Sequence, residues 1–492
     1  MAHTNHRCGS TNGGDFIART RRVRAALVVL GVAGCVALAG CRREAPVEEA
    51  GADAGAATQV RSLDFENGAR AILVPVPGAG RIAVTTFYEA GFLDEPAGMP
   101  QATHLLEHIV VLGATASYGP GESVEALGGA GLANAETMPD FTHYDFVTTS
   151  DALEHALSIE AERMTSLRIT REIVEQEAPR CAAEVEFLQD NPMQPLAKFA
   201  LVAANQAWRH GATETALRSG MESFDLDRLR ALHRAANAPA SLTVVLVGEF
   251  EHDEATPALE RTIGAAPARP ALHREPIAWD AVGADARITW DVEARALLLT
   301  WPAPASASER LALTMGGATL LERLSRDVRV QAFTTFTLAS NIAWPVDTLP
   351  FFVYATVPLS ETAEDAAEAI ARVVEAWRTT PPDDTEMRNL QEAARTLGAP
   401  LQPTAEFVRT QAATLVASAG VSDDYARSVV LLNTAIQNGV RHRLTRGHAE
   451  ALAEVAAMDA AAHLAIRAEA TTPQRRTFTR IEPIDRGPFP ED

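Results

Sequence analysis

Residues 101–113 read QATHLLEHIVVLG, and three polar side chains inside that apolar run decide how the rest of the chain is read. Leu105, Leu106, Ile109, Val110 and Leu112 recur at helical spacing, which predicts a helix near 99–113. On a helix, positions i, i+3 and i+4 share one face, so His104, Glu107 and His108 project together. Two imidazoles one turn apart can reach the same metal ion. Nitrogen ligands suit zinc, which in catalytic sites takes three protein ligands and keeps a fourth position for water. Glu107 falls beside the pair, where a carboxylate can take the proton of that water during attack on a carbonyl. Composition alone would place His-x-x-Glu-His in a chain this long only about a few per cent of the time.

Outward from this stretch, the N-terminus reads as a targeting segment. Arg19, Arg21, Arg22 and Arg24 precede the apolar run AALVVLGVAGCVALAG, which is short and rich in small residues, as a secretory signal is. It ends at Leu38-Ala39-Gly40-Cys41, which resembles a bacterial lipobox and implies lipidation of Cys41. The expected layout is a signal peptide over 1–40 and a flexible tether over 41–57. That places the protein in the bacterial cell envelope, lipid-anchored on the periplasmic side. Arg42 is not the aspartate associated with inner-membrane retention, so the outer membrane is the expected address. The whole chain carries a net charge of −21, and removing the +4 of residues 1–40 leaves −25. So acidic a surface argues against nucleic-acid binding. Cys8 and Cys35 would leave with the signal and Cys41 would carry lipid. Cys181 then remains alone and reads as a small helix-packing residue.

Two alternating runs, ARAILVPVP and RIAVTTFYEAG, predict a strand pair, and LANAETMPDFTHYDFVTTS predicts two more strands around Met138-Pro139-Asp140. Ser150 is the expected cap of an amphipathic helix over DALEHALSIEAERMTSL, and another helix is expected over 171–189. The Pro- and Ala-rich stretch GAAPARPALHREPIAWD (264–280) marks a linker, bounded at 268–284, after which the α+β order begins again. The helix-to-strand order of 226–247 returns near the chain end. Two domains follow, 58–267 and 285–486, related by an ancient duplication.

The His-x-x-Glu-His order reverses the commoner His-Glu-x-x-His and is the inverzincin signature. YEAGFLDEPAGMPQATHLLEHIVVLGA resembles the Gly-x-x-x-Glu…Gly…His-x-x-Glu-His…Gly block of the pitrilysin/insulinase family of metallopeptidases. LANAETMPDFTHY resembles its Asn-Ala-x-Thr-x-x-Asp-x-Thr-x-Tyr block through Asn134, Ala135, Thr137, Asp140, Thr142 and Tyr144. In that family a glutamate on a later helix completes the metal set and a second glutamate precedes it. Glu184, 76 residues after His108, and Glu177, seven before Glu184, match them. Glu186 is the alternative third ligand. Pro179 falls between Glu177 and Glu184, where a proline either kinks the helix or starts a new one.

The resemblance implies an α+β fold: two homologous α/β sandwich-like domains, each an antiparallel-rich sheet covered by helices, forming half of a clamshell. It implies one zinc ion per chain on His104, His108 and Glu184, with Glu107 as general base and Glu177 as an electrostatic support. It also implies an edge strand carrying Asn134 and Ala135 that pairs with an extended peptide. The implied activity is zinc-dependent endopeptidase cleavage of unfolded peptides or short proteins. One departure stands out. The family's substrate-gripping arginine and tyrosine would fall in DTLPFFVYATVPLS (347–360), which has no arginine and a single tyrosine, Tyr354, on a strand of buried character. The expected assembly is therefore a dimer, either with a related chain that supplies Arg and Tyr or with a second copy. The alternative is a non-catalytic peptide-binding or scaffolding subunit.

Overall fold

The computed structural model describes residues 59–127, 132–187, 197–201, 204–205, 214–218, 220–221, 224–274, 285–291, 294–340 and 350–484. The expected signal segment, the tether with Cys41, and residues 275–284 of the expected linker lie outside them. Among the described residues, no helix is long and apolar enough to cross a membrane.

The strands are β1 (Arg61–Asp64), β2 (Arg70–Pro75), β3 (Ile82–Tyr88), β4 (Ala133–Thr137), β5 (Thr142–Thr148), β6 (Glu214–Leu217), β7 (Leu242–Gly248), β8 (Asp285–Trp290), β9 (Arg295–Trp301), β10 (Phe336–Ala339), β11 (Phe351–Val357) and β12 (Thr477–Pro483). They form two mixed six-stranded sheets, β1-β2-β7-β3-β5-β4 and β10-β11-β9-β12-β8-β6. The helices are α1 (Ala102–Leu112), α2 (Glu122–Leu127), α3 (Leu153–Thr165), α4 (Arg171–Phe187), α5 (Leu226–Ala236), α6 (His252–Arg261), α7 (Ala307–Arg326), α8 (Val328–Phe333), α9 (Ala363–Thr379), α10 (Asp384–Leu397), α11 (Ala405–Ala419), α12 (Asp423–Thr445), α13 (Ala449–Ala457) and α14 (Ala460–Ala470).

The two sheets repeat one connectivity. In the first, β2 pairs parallel to β7, β7 antiparallel to β3, β3 to β5, and β5 to the edge strand β4. In the second, β8 pairs parallel to β12, β12 antiparallel to β9, β9 to β11, and β11 to the edge strand β10. Each closing strand is reached the same way: α5 or α14, capped by Asp225 or Asp459, then a proline-led 3₁₀ turn, then β7 or β12. The duplication expected from the sequence is thus present in topology.

The central strands are buried on both faces, as continuous apolar runs such as LTVVLVG in β7 require. One face of the first sheet packs Leu73, Val84, Tyr144, Phe146 and Leu246 against α3 and α6. The long helix α12, from the second half of the chain, lies along β3 and β7. Gly439 makes that approach possible, because a Cβ there would stand 1.9 Å from the Phe87 ring. Conversely, Ala197, Phe199, Ala200, Leu201 and Ala204 from the first half pack onto Ile288, Trp290, Leu298 and Tyr354 of the second sheet, and β6 pairs with β8. Each half therefore covers part of the other's sheet.

Two local expectations are revised. β2 and β3, expected as a strand pair, are not neighbours, because β7 returns through α5 and inserts between them. Ser150 does not cap α3; its hydroxyl donates to the Glu249 carbonyl at 2.7 Å, and a 3₁₀ turn over Ser150–Ala152 leads into the helix. Of the two outcomes open for Pro179, a kinked helix or a new one starting there, the second does not occur: α4 runs unbroken through it. The described part of the linker is strapped to the first half: Arg269 donates to the Met164 and Asn237 carbonyls at 2.9 Å, and Arg274 pairs with Asp94.

Candidate metal centre

α1 is placed by its apolar stripe. Leu105, Leu106 and Ile109 pack with Ile173, Val174 and Cys181 of α4 and with Leu229 and Leu232 of α5. Its start is set by Glu95, the glutamate of the Gly-x-x-x-Glu block, and by Gln101, which sequence reasoning did not single out. Glu95 accepts from the Gln101 and Thr103 amides at 3.1 and 3.2 Å and from the Thr103 hydroxyl at 2.9 Å, satisfying orphan donors of the first turn. Gln101 is left-handed, φ 66°, the one non-glycine residue with positive φ among those described. Such a conformation costs about 1–2 kcal/mol, and it is the kind of strain that collects at functional sites. Gln101 Oε1 lies 3.1 Å from His104 Nδ1. The block marked Glu95 without indicating its role, while Gln101 had no signal, because its conformation depends on a backbone turn rather than on spacing.

Of the five residues expected from the sequence, the two histidines stand together on α1, and Glu177 and Glu184 approach His108 from α4. His104 and His108 stand with ring centroids 5.1 Å apart, nearly perpendicular. Across from them, α4 presents Glu177, which is fully buried: its Oε2 lies 3.1 Å from His108 Nδ1, and its Oε1 accepts from Arg180 at 2.6 Å. Both histidines thus give their Nδ1–H to a side-chain oxygen, which leaves each Nε2 lone pair for a metal. Glu184, seven residues along the same face of α4 and 31% exposed, brings Oε2 to 3.6 Å from His108 Nε2. Glu186 is exposed. Glu107 is buried and accepts from the Thr137 hydroxyl at 2.7 Å. Cys181, on the turn between Glu177 and Glu184, places its sulfur within 4.8 Å of the histidine donor atoms.

A metal dication fits these donors. His108 Nε2 is buried without a hydrogen-bond partner, the orphan polar atom that an ion would satisfy. Charge gives the same answer. Burial opposes protonation of His108, but Cys181, Glu177 and Glu184 around it outweigh that and push the imidazole up to about 12. The pocket favours positive charge at this imidazole.

Asn134 and Ala135 lie on β4, the terminal strand of the first sheet, half-buried. The strand is held from behind by Lys198, the only lysine in the sequence, which donates to Glu136 Oε1 at 3.2 Å and to the Thr137 carbonyl at 2.9 Å. Burial alone would raise the Glu136 pKa, yet Lys198 and His143 bring it below its ordinary value. Thr137 therefore joins two parts of the site: its hydroxyl reaches Glu107 in the centre and its carbonyl is fixed at the sheet edge. Tyr354 is fully buried among Phe336, Leu298 and Ile481, beneath the first-half residues that cover the second sheet. It is a core residue.

The sequence profile of insulinase (peptidase family M16) matches residues 77–218, and that of the peptidase M16 inactive domain matches residues 223–394. The chain belongs to the insulinase/pitrilysin family of peptidases. The zinc protease PqqE of Helicobacter pylori is 28% identical over 196 residues, 38% of this chain and 43% of that protein. An uncharacterized zinc protease of Streptomyces coelicolor is 23% identical over 202 residues, 40% of this chain and 42% of that protein. The matches span less than half the length of these relatives. A protease structure from Helicobacter pylori aligns with TM-score 0.60 at 17% identity, over 87% of this chain and 100% of that one. A peptidase M16 inactive domain from Pseudomonas fluorescens aligns with TM-score 0.58 at 16% identity, over 86% and 98%. At those identities the structural likeness concerns fold.

Proposed function

We propose that the chain is a zinc-dependent endopeptidase of the bacterial cell envelope. It would be tethered through Cys41, would cleave unfolded peptides or short proteins, and would work as the zinc-bearing subunit of a dimer. The observation that carries this reading is the pairing of His104 and His108, each oriented through Nδ1, with Glu184 3.6 Å from His108 Nε2. Zinc held there would polarise the scissile carbonyl and lower the pKa of the attacking water. The chain's own residues supply the rest. Glu107, aimed by Thr137, accepts the water proton and returns it to the leaving amine. Glu177 keeps His108 in the ligating tautomer. The β4 edge at Asn134 and Ala135 takes an extended peptide by strand addition, through main-chain bonds that ask little of its sequence.

Support for a partner comes from Tyr354. In this chain it is core, so an oxyanion donor of the kind that provides a large share of peptidase rate must come from elsewhere. A related chain bearing arginine and tyrosine would supply it. The second reading, a non-catalytic peptide-binding or scaffolding subunit, draws on the inactive-domain match over 223–394 and on the same buried tyrosine. The test is cleavage of an unfolded peptide by the zinc-loaded chain, alone and with a candidate partner. The proposal expects turnover with the partner that Glu107→Gln abolishes. Zinc-loaded protein inert under both conditions supports the scaffold, and full activity of the chain alone contradicts the need for a partner.

A further inference from the structure

The cluster whose donor atoms converge most closely among the described residues is His104, His108 and Cys181, all within 4.8 Å of one another. Around a tetrahedral zinc, nitrogen and sulfur donors stand about 3.4–3.6 Å apart. A shift of about 1 Å at side-chain tips would close the observed set onto an ion. Cys181 is 2% exposed and pairs with no other cysteine. It lies four residues after Glu177 and three before Glu184, on the α4 stripe that faces His108. The buried His108 Nε2, without a hydrogen-bond partner, faces the same space. Its sulfur lies beside both imidazoles, at the end of the apolar cluster that α1 and α4 share.

We propose that Cys181 Sγ is a direct ligand of the metal held by His104 and His108. This rests on the reading of that histidine pair as a metal site. With Glu184 it makes four protein donors, two nitrogens, one sulfur and one oxygen, which is the closed set of structural zinc sites rather than the three of catalytic ones. The resting centre is then capped. The position needed by water would open when one donor withdraws, and Glu184, nearly a third exposed, is the donor nearest to solvent. The thiolate also makes the site softer than a His₂Glu set, favouring zinc or cadmium over manganese.

The test uses the full chain loaded with cobalt(II), whose bond to a thiolate gives an intense near-ultraviolet charge-transfer band that nitrogen and oxygen donors do not. The expected result is one equivalent of cobalt with that band in the wild type, and the band retained in Glu184→Gln. Cys181→Ser should lose the band and hold cobalt at least about tenfold more weakly. One equivalent of cobalt with no band in the wild type overturns the proposal and leaves the histidine site standing. Failure of the wild type to bind cobalt overturns both. The wild-type spectrum decides by itself, so the outcome does not depend on the variants folding.

Discussion

Glu107 takes its hydrogen bond from Thr137 on the sheet edge, so the base and the metal donors are anchored to different elements. Glu107→Gln should therefore leave metal content unchanged while lowering kcat about 10²–10⁴-fold. Thr137→Val, which removes one 2.7 Å bond to that carboxylate, should cost about tenfold. Equal metal loss in either variant would mean that Glu107 is a ligand rather than the base. Glu177→Gln keeps a polar contact to His108 but removes the charge between it and Arg180, and should weaken zinc binding about 10–100-fold in a chelator competition. Unchanged zinc affinity would contradict its orienting role. At this scale His104, Glu107 and His108 could be placed together because helical periodicity turns spacing into a shared face, whereas Glu177 and Glu184 were picked out by the family resemblance. Gln101 and Cys181 were not legible as site residues, and Glu95 was visible only as a member of the family block. Glu95 reaches forward six to eight residues across a turn, Gln101 depends on a left-handed backbone, and Cys181 was indistinguishable from packing until α1 and α4 were brought together.

At the scale of elements, two contacts carry the arrangement. α12 can lie on β3 because Gly439 has no side chain against Phe87, so Gly439→Ala should destabilise the chain by about 1–3 kcal/mol. A Gly→Ala change in an unencumbered helix has the opposite sign, by about 0.5–1 kcal/mol. A raised thermal midpoint in Gly439→Ala would contradict the close approach. The second contact is Lys198, which ties the otherwise unpaired side of β4 at its Thr137 end. Lys198→Met should loosen that strand, raising KM for peptides more than it lowers kcat; an unchanged KM would separate Lys198 from the substrate edge. The alternation of the strands, the helix periods and the duplicated order could all be read from sequence. The cross-covering of the sheets could not. The same apolar faces satisfy either half, and only the long-range fit of Gly439 to Phe87 and of Phe199 to Trp290 and Tyr354 decides which half covers which. Ser150 was misread for a related reason: its hydroxyl found the distant Glu249 carbonyl instead of the local helix start.

For the whole molecule, the duplicated sheets give a scaffold whose first copy carries the donors and whose second copy buries the tyrosine that the family resemblance would place in the site. Its stability should depend on pH in a defined direction. Burial holds His233 and His463 neutral, pulling each from 6.5 down to about 4. Below pH 6.5 the unfolded chain takes up protons that the folded chain refuses. Stability from these groups is therefore full above 6.5 and lost as pH falls toward 4, by up to about 3 kcal/mol each. Glu95, which burial raises to about 8, works in the opposite direction, so the check is comparative. Urea midpoints should fall more steeply through that window in the wild type than in His233→Asn or His463→Asn, and equal slopes would contradict the burial of both rings. The central claim is that His104 and His108 hold zinc. Its most direct measurement is the zinc content of the purified chain beside that of His108→Ala. Near one zinc per chain, absent from the variant, is the result expected; a wild-type chain without zinc, or a variant that keeps it, would contradict the account.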